Sequence, residues 1–142
     1  MKIRDRTRIP MSSLSLQNRL VQLIGARVST LINPFGTITE AKLLKVSKSI
    51  IVVQQNSSKL ILSPSGLQHL TVHRKAAKAT TPKYTITLNS IAREAEKNSP
   101  AFLNNRRIVQ IGKDFIEVTR DGTLTELIPL SNVTVTFRTA TK

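Results

Sequence analysis

Lys42-Leu43-Leu44-Lys45-Val46-Ser47-Lys48-Ser49-Ile50-Ile51-Val52-Val53 lies over Arg107-Ile108-Val109-Gln110-Ile111-Gly112-Lys113-Asp114-Phe115-Ile116-Glu117-Val118 at an offset of 65 residues. Each stretch runs basic, apolar, apolar, polar, apolar, small, Lys, polar, and then enters a second apolar run. With a shift of one further residue, Leu62-Ser63-Pro64-Ser65-Gly66-Leu67 lies over Ile128-Pro129-Leu130-Ser131-Asn132-Val133. A short β-like tail follows each, Leu70-Thr71-Val72 and Val133-Thr134-Val135-Thr136-Phe137. Two unrelated β meanders are the competing account, but a match of this length favours a duplicated unit of about 60 residues. The chain then divides into a basic arm (1–12), a first unit (13–73), a basic linker (74–83) and a second unit (84–142).

Each unit reads as a short helix plus short strands. In the first, Leu16, Leu20, Leu23 and Ile24 recur at helical spacing, with Ser15 as N-cap and Gly25 just past the end. Strands are expected over 27–32, 37–46, 50–54 and 59–62, with a turn at Asn33-Pro34-Phe35-Gly36. In the second unit a strand over 84–88 is expected to lead into a helix over 89–98, stopped by Pro100. Strands resume over 106–111, 115–119, 123–129 and 134–137, and Asp121-Gly122 is a hairpin signal. The inward-facing positions change parity at Ser47 and at Gly112-Lys113-Asp114, which requires a tight turn or a bulge there. After the second of these, Glu117 implies that Ile116 and Val118 point inward.

Charge is unevenly placed on this 142-residue chain of net charge +14: residues 1–83 hold 14 of its 22 basic and only 2 of its 8 acidic residues. Such asymmetry points to a polyanion, whether nucleic acid, an anionic membrane or an acidic protein; a lysine-rich solvated surface is the plain alternative. Lys2, Arg4, Arg6 and Arg8 alternate, so an extended chain lines them along one edge. Lys42, Lys45 and Lys48 form a second group; on an unbroken strand Lys42 and Lys48 share a side and Lys45 takes the other. Arg74, Lys75, Lys78 and Lys83 form a third group, in the linker. The candidate nucleic-acid contacts are therefore Arg4, Arg6, Arg8, Lys42, Lys45, Lys48, Arg74, Lys75 and Lys78. Phe35, Tyr84, Phe102, Phe115 and Phe137 sit mostly at apolar positions and read as core, not as a stacking platform. Binding is then expected to be phosphate-driven, with little sequence specificity.

Several chemistries are disfavoured. Without Cys there are no disulfides, thiolate nucleophiles or Cys-ligated metals. His69 and His73 are four apart, but they flank strand-like Leu70-Thr71-Val72 and read as solvent-facing. Asp114, Glu117, Asp121 and Glu126 are explained by turns and alternation, Glu94 and Glu96 by a solvated helix face. The five glycines are scattered and form no phosphate loop. No enzyme activity, cofactor or metal is expected. No apolar run approaches the ~20 residues of a membrane span and none has a secretory pattern, so an intracellular location is expected.

A helix followed by about five short, bent strands in 60 residues is similar to the plan of an Sm-like small barrel. At Gly25-Ala26-Arg27-Val28, Gly36-Thr37-Ile38 and Leu43-Leu44-Lys45-Val46 the chain resembles bacterial Sm-like families, and Ile128-Pro129-Leu130-Ser131-Asn132-Val133 resembles their closing strand. The resemblance covers most of 15–72 and, less well, 102–137. It implies a mainly β fold of two tandem Sm-like barrels, each with a short helix. It also implies an endospore-forming Gram-positive source, and a place in the bacterial cytoplasm or the spore. Ser47, Ile51, Gly112 and Ile116 occupy the bends where RNA-binding Sm proteins carry Asp and Asn, and no Arg-Gly follows, so those base-binding residues do not carry over. Two functions follow as expectations. One is a non-enzymatic protein that holds DNA or RNA by phosphate contacts. The other is a self-assembling structural protein of a spore layer or filament, a homo-oligomer joined through strand edges with the arm as a donated strand.

Overall fold

The computed structural model describes residues 11–76, 83–90, 101–131 and 133–139. Helix α1 (Leu16–Gln22) starts at Ser15, whose hydroxyl accepts the Asn18 N–H at 3.1 Å, and buries Leu16 and Leu20. The chain leaves the helix through Gly25 at φ +94°, a left-handed conformation that costs glycine little. Ten strands follow: β1 (Arg27–Asn33), β2 (Gly36–Val46), β3 (Ile51–Gln55), β4 (Ser58–Leu62), β5 (His69–Val72), β6 (Lys83–Ser90), β7 (Ala101–Ile111), β8 (Phe115–Thr119), β9 (Thr125–Pro129) and β10 (Val133–Thr139). A single 3-10 turn, Pro64–Gly66, precedes β5.

The strands form one antiparallel sheet in the order β10-β6-β7-β8-β9-β5-β1-β2-β3-β4. Cut between β9 and β5, it yields two halves of five strands. Numbered within its own half, each has the order 5-1-2-3-4. The repeat survives in register: Leu43↔Val53 and Lys45↔Val52 in β2–β3 are matched by Ile108↔Val118 and Gln110↔Glu117 in β7–β8. Both pairs of strands skip one residue, Leu44 in the first half and Val109 in the second. The parity change is therefore a bulge inside the long strand, upstream of Ser47 and Gly112. Those two residues instead close matching turns, donating to Ile50 O and Phe115 O at 2.9 Å.

The expectation of two barrels is corrected. β5 pairs with β1 along one edge and with β9 along the other, so the sheet of one half runs on into the next and stays open. The expected second helix begins at Asn89-Ser90, which end β6 instead; residues 91–98 lie outside the described residues. Among the described residues α1 is the one α-helix, and no helix is long and apolar enough to cross a membrane.

Each half has its own core. The first gathers Leu20, Leu23, Val28, Leu31, Leu43, Val53 and Leu70 among others; the second gathers Tyr84, Ile86, Ile108, Ile116, Val118 and Ile128. β8 and β9 are buried at every position because they serve both cores. Ile116, Val118 and Ile128 face their own half, as alternation around Glu117 implied, while Phe115 and Leu127 point the other way into the first core. Gly112 lies under the chain leading into α1. A β-carbon there would collide with the Phe115 ring and approach Leu14 O to 2.6 Å.

Polar contacts also cross the joint. Arg19 of α1 donates to both carboxylate oxygens of Glu117, at 2.8 and 3.0 Å, and Gln110 Nε2 donates to the same group at 2.8 Å. Asp114 Oδ1 accepts the Leu16 N–H at 2.7 Å, and Met11 forms a parallel bridge with Ile111. On β9, Glu126 accepts from Arg106 Nε at 2.7 Å and lies 3.2 Å from His69 Nε2 on β5. Glu117, Glu126 and His69 are thus structural: both carboxylates are buried, and His69 is not solvent-facing as expected but 15% exposed.

Burial by itself raises the Glu126 carboxyl, but the His69 hydrogen bond and the Arg106 charge outweigh it, leaving it below the ordinary value of 4.5. Its contribution to stability is complete above that ordinary value and is lost as pH falls through the lower folded value. Wild type is therefore expected to lose more stability than Glu126→Gln between about pH 5 and about pH 3, read as urea midpoints.

Candidate polyanion-binding surface

Strand pairing builds a basic row that spacing along the chain does not show. Arg27 on β1 stands opposite Lys42 on β2, Lys42 opposite Gln54 on β3, and Gln54 opposite Lys59 on β4. Their chain neighbours Val28, Leu43 and Val53 are buried and Leu60 packs on the same core, so the row lies on the face turned away from that core. Arg27, Lys42 and Lys59 are exposed. Strands sit about 4.8 Å apart, so Lys42 and Lys59 are on the order of 10 Å apart along the row.

The bulge at Leu44 enlarges this surface. Lys45 pairs with Val52, two residues from Gln54, and so shares the outer face with Lys42 instead of opposing it. This corrects the alternation expected for an unbroken strand: the extra residue turns Lys45 over. Arg74 and Lys75 are exposed just beyond β5, after His73, whose N–H donates to Arg27 O at 2.8 Å. Lys48 is exposed in the β2–β3 turn, beyond the end of β2 and outside the row. Arg4, Arg6, Arg8 and Lys78 lie outside the described residues.

Three cations escaped the sequence reading, Arg27, Lys59 and Arg107, and Lys83 reads there as part of the basic linker but not as a contact. Lys83 stands opposite Arg107 on β6 and β7, and both are exposed. Val28↔Ala41 next to Arg27↔Lys42, and Tyr84↔Arg106 next to Lys83↔Arg107, show that the second pair repeats the first. Only strand register brings these residues together.

One acid interrupts the surface. Glu40 holds Arg27 at 3.2 Å and lies 3.8 Å from His73 Nε2, with Glu40 and Arg27 each about two-thirds exposed. Exposed pairs of this kind contribute about 0–1 kcal/mol, so Arg27 can exchange Glu40 for a phosphate at small cost. Among the aromatics, Tyr84 and Phe115 are buried and Phe137 packs edge-on to Tyr84 at 5.4 Å. Phe35 and Phe102, expected in the core, are exposed at 98% and 61%. Phe35 sits in the tight β1–β2 turn, between the paired Asn33 and Gly36. Among the described residues no group of three His, Cys, Asp or Glu could hold a metal. No protein-family model, curated protein or solved structure matches this chain.

Proposed function

We propose that this chain is a non-enzymatic binding protein that holds DNA or RNA through phosphate contacts with little sequence specificity. The observation that carries the reading is the exposed cross-strand row Arg27–Lys42–Gln54–Lys59, widened by Lys45 and echoed by Lys83–Arg107. Long cationic side chains at strand spacing track a phosphate backbone, and the row has no aromatic with which to read bases. Arg74, Lys75 and Lys48 extend the positive field. In this reading the halves are Sm-like units sharing one sheet, supported by the common strand order and by the bulge in the same place in each. The location that goes with it is the bacterial cytoplasm or the spore.

The test is binding to mixed-sequence duplex and single-stranded nucleic acid as salt rises from about 50 to about 200 mM. Engagement of six phosphates predicts a loss of affinity on the order of a thousandfold. Absence of binding at low salt, or binding indifferent to salt, contradicts the proposal.

A second reading is a self-assembling structural protein, with a spore layer as its setting. What favours it is the open sheet, in which β4 and β10 each have a partner along one edge only among the described residues. Residues 1–10 of the arm that was expected to be donated lie outside the described residues, and its root at Met11 is bridged to Ile111 of the same chain.

A further inference from the structure

We propose that the cleft beside the basic row holds the base of one guanine nucleotide, read through the carboxylate of Glu40. This rests on the nucleic-acid reading and deepens it: along an otherwise sequence-tolerant surface, one position selects its base.

The cleft is open, has a volume of about 530 Å³, and is lined by Arg27, Glu40, Lys42, Gln54 and Asn56 among others. That is room for a single nucleotide. Arg27 and Lys42 also belong to the row, so a strand lying along the row passes the mouth of the cleft. Glu40 is the sole acid in residues 13–73, and it stands two residues before Lys42 on β2. Its carboxylate holds Arg27 Nε at 3.2 Å and lies 3.8 Å from His73 Nε2. A phosphate that takes Arg27 leaves this carboxylate without its guanidinium, beside a polyanion. The carboxylate then repels the strand unless the strand offers hydrogen-bond donors in return, and a repulsive element of this kind is what selects among ligands.

An ionised carboxylate accepts hydrogen bonds and donates none, and its two oxygens suit two donors side by side. Guanine presents such a pair, N1–H and the N2 amino group, on its pairing edge. Adenine and cytosine each set a ring-nitrogen acceptor beside one amino donor. Thymine and uracil flank a single N–H with two carbonyl oxygens. Each of these three patterns turns an acceptor toward Glu40, and acceptor against acceptor leaves both unpaired. Guanine O6, the acceptor on the same edge, is complemented by Lys42, which lines the same cleft. In a duplex that edge is already used for pairing, so the cleft takes an unpaired base.

The repeat isolates what Glu40 adds. Ala41 pairs with Val28 as Arg106 pairs with Tyr84, so Glu40 corresponds to Asn105. Both adopt left-handed backbone, at φ +50° and +61°. Asn takes that conformation more readily than Glu. The backbone geometry thus belongs to the fold, and the first half keeps it with the costlier residue. Both halves carry the adjoining cation pair, Arg27–Lys42 and Lys83–Arg107. Asn105 offers an amide, with one acceptor oxygen and a donor group, where Glu40 offers two acceptor oxygens. Guanine selection therefore belongs to the first half alone.

The test uses the full chain at low salt and short labelled thymidine strands in which one central base is varied. Central guanine is expected to bind roughly tenfold tighter than adenine, cytosine or thymine, the scale of one bidentate base contact. Hypoxanthine, which lacks the N2 amino group, is expected to lose the advantage, and 7-deazaguanine, altered only on the opposite edge, to keep it. Glu40→Gln, a change at an exposed site, is expected to bind all four strands with similar affinity and to keep the wild-type far-UV spectrum. Guanosine monophosphate that competes where adenosine monophosphate does not supports the site with the free nucleotide as its ligand; a preference confined to strands supports it with the strand. Four equal affinities in wild type, a guanine preference that survives in Glu40→Gln, or one that hypoxanthine keeps and 7-deazaguanine loses, overturns the guanine site and leaves phosphate binding standing. Absence of binding by any strand at low salt overturns the nucleic-acid reading together with it.

Discussion

Replacing Glu117 with alanine is expected to lower the free energy of unfolding by about 3 kcal/mol, among the largest effects of any single polar substitution in this chain. Glu117 is 1% exposed on β8 and accepts three hydrogen bonds, two from Arg19 and one from Gln110. Alanine leaves the Arg19 guanidinium, itself only 15% exposed, without its counter-charge and with Gln22 Oε1 as its remaining hydrogen-bond acceptor among the described residues. Its severity comes from that stranded cation rather than from the worth of the ion pair, since desolvation offsets much of the attraction between buried charges. Pairing Glu117→Ala with Arg19→Met is therefore expected to recover most of the loss. Equilibrium urea unfolding of the two variants and the double variant measures this directly. A double variant no more stable than Glu117→Ala would show that the pair itself, and not the stranded charge, carries the energy.

Truncating Phe115 is expected to cost a further order of about 3–5 kcal/mol, the range for removing a buried ring from a core that collapses only in part. Phe115 has no exposed surface, and although it begins β8 of the second half it belongs to the first half's core. Phe115→Ala should therefore destabilise the first half as much as the second. Thermal unfolding followed by circular dichroism and by amide exchange in β2–β3 is expected to shift together to lower temperature. A shift confined to β6–β10, with protection in β2–β3 unchanged, would mean that the halves fold independently. Domains of this size are stable by only about 5–15 kcal/mol, so either substitution removes a large share of the whole.

Much of this molecule can be read from its residues in order. The helix at Leu16–Gln22, its Ser15 cap and nine of the strands follow from local spacing and turn chemistry, and the 65-residue repeat survives as matched strand pairs and matched bulges. What linear reading misses is whatever depends on a second strand. Lys45 changes face because Leu44 is skipped against β3, an event that no alternation rule locates. Glu117 and Glu126 look like solvent-facing members of alternating strands until β8 and β9 gain a second buried face from the neighbouring half. His69 becomes the partner of Glu126 for the same reason. Two barrels were expected because each repeat can be imagined closing on itself. The sheet stays open because β9 takes the edge of β5 along which such closure would occur. The basic row is the clearest case: Arg27, Lys42 and Lys59 are 15 and 17 residues apart in sequence and are brought together only by register.

The same register makes the functional proposal sharply testable. Glu40→Gln, which frees Arg27 from the Glu40 carboxylate, is expected to strengthen polyanion binding, and the row variant is expected to do the reverse. The most direct measurement is fluorescence anisotropy of labelled mixed-sequence DNA with the Arg27→Ala, Lys42→Ala, Lys59→Ala triple variant over a range of salt. With three phosphate contacts removed, affinity at low salt should fall at least tenfold, and the log–log salt slope should decrease by about 3, roughly one per contact. The far-UV spectrum should be unchanged, because all three side chains are exposed. An affinity and a salt slope equal to those of wild type would contradict the account.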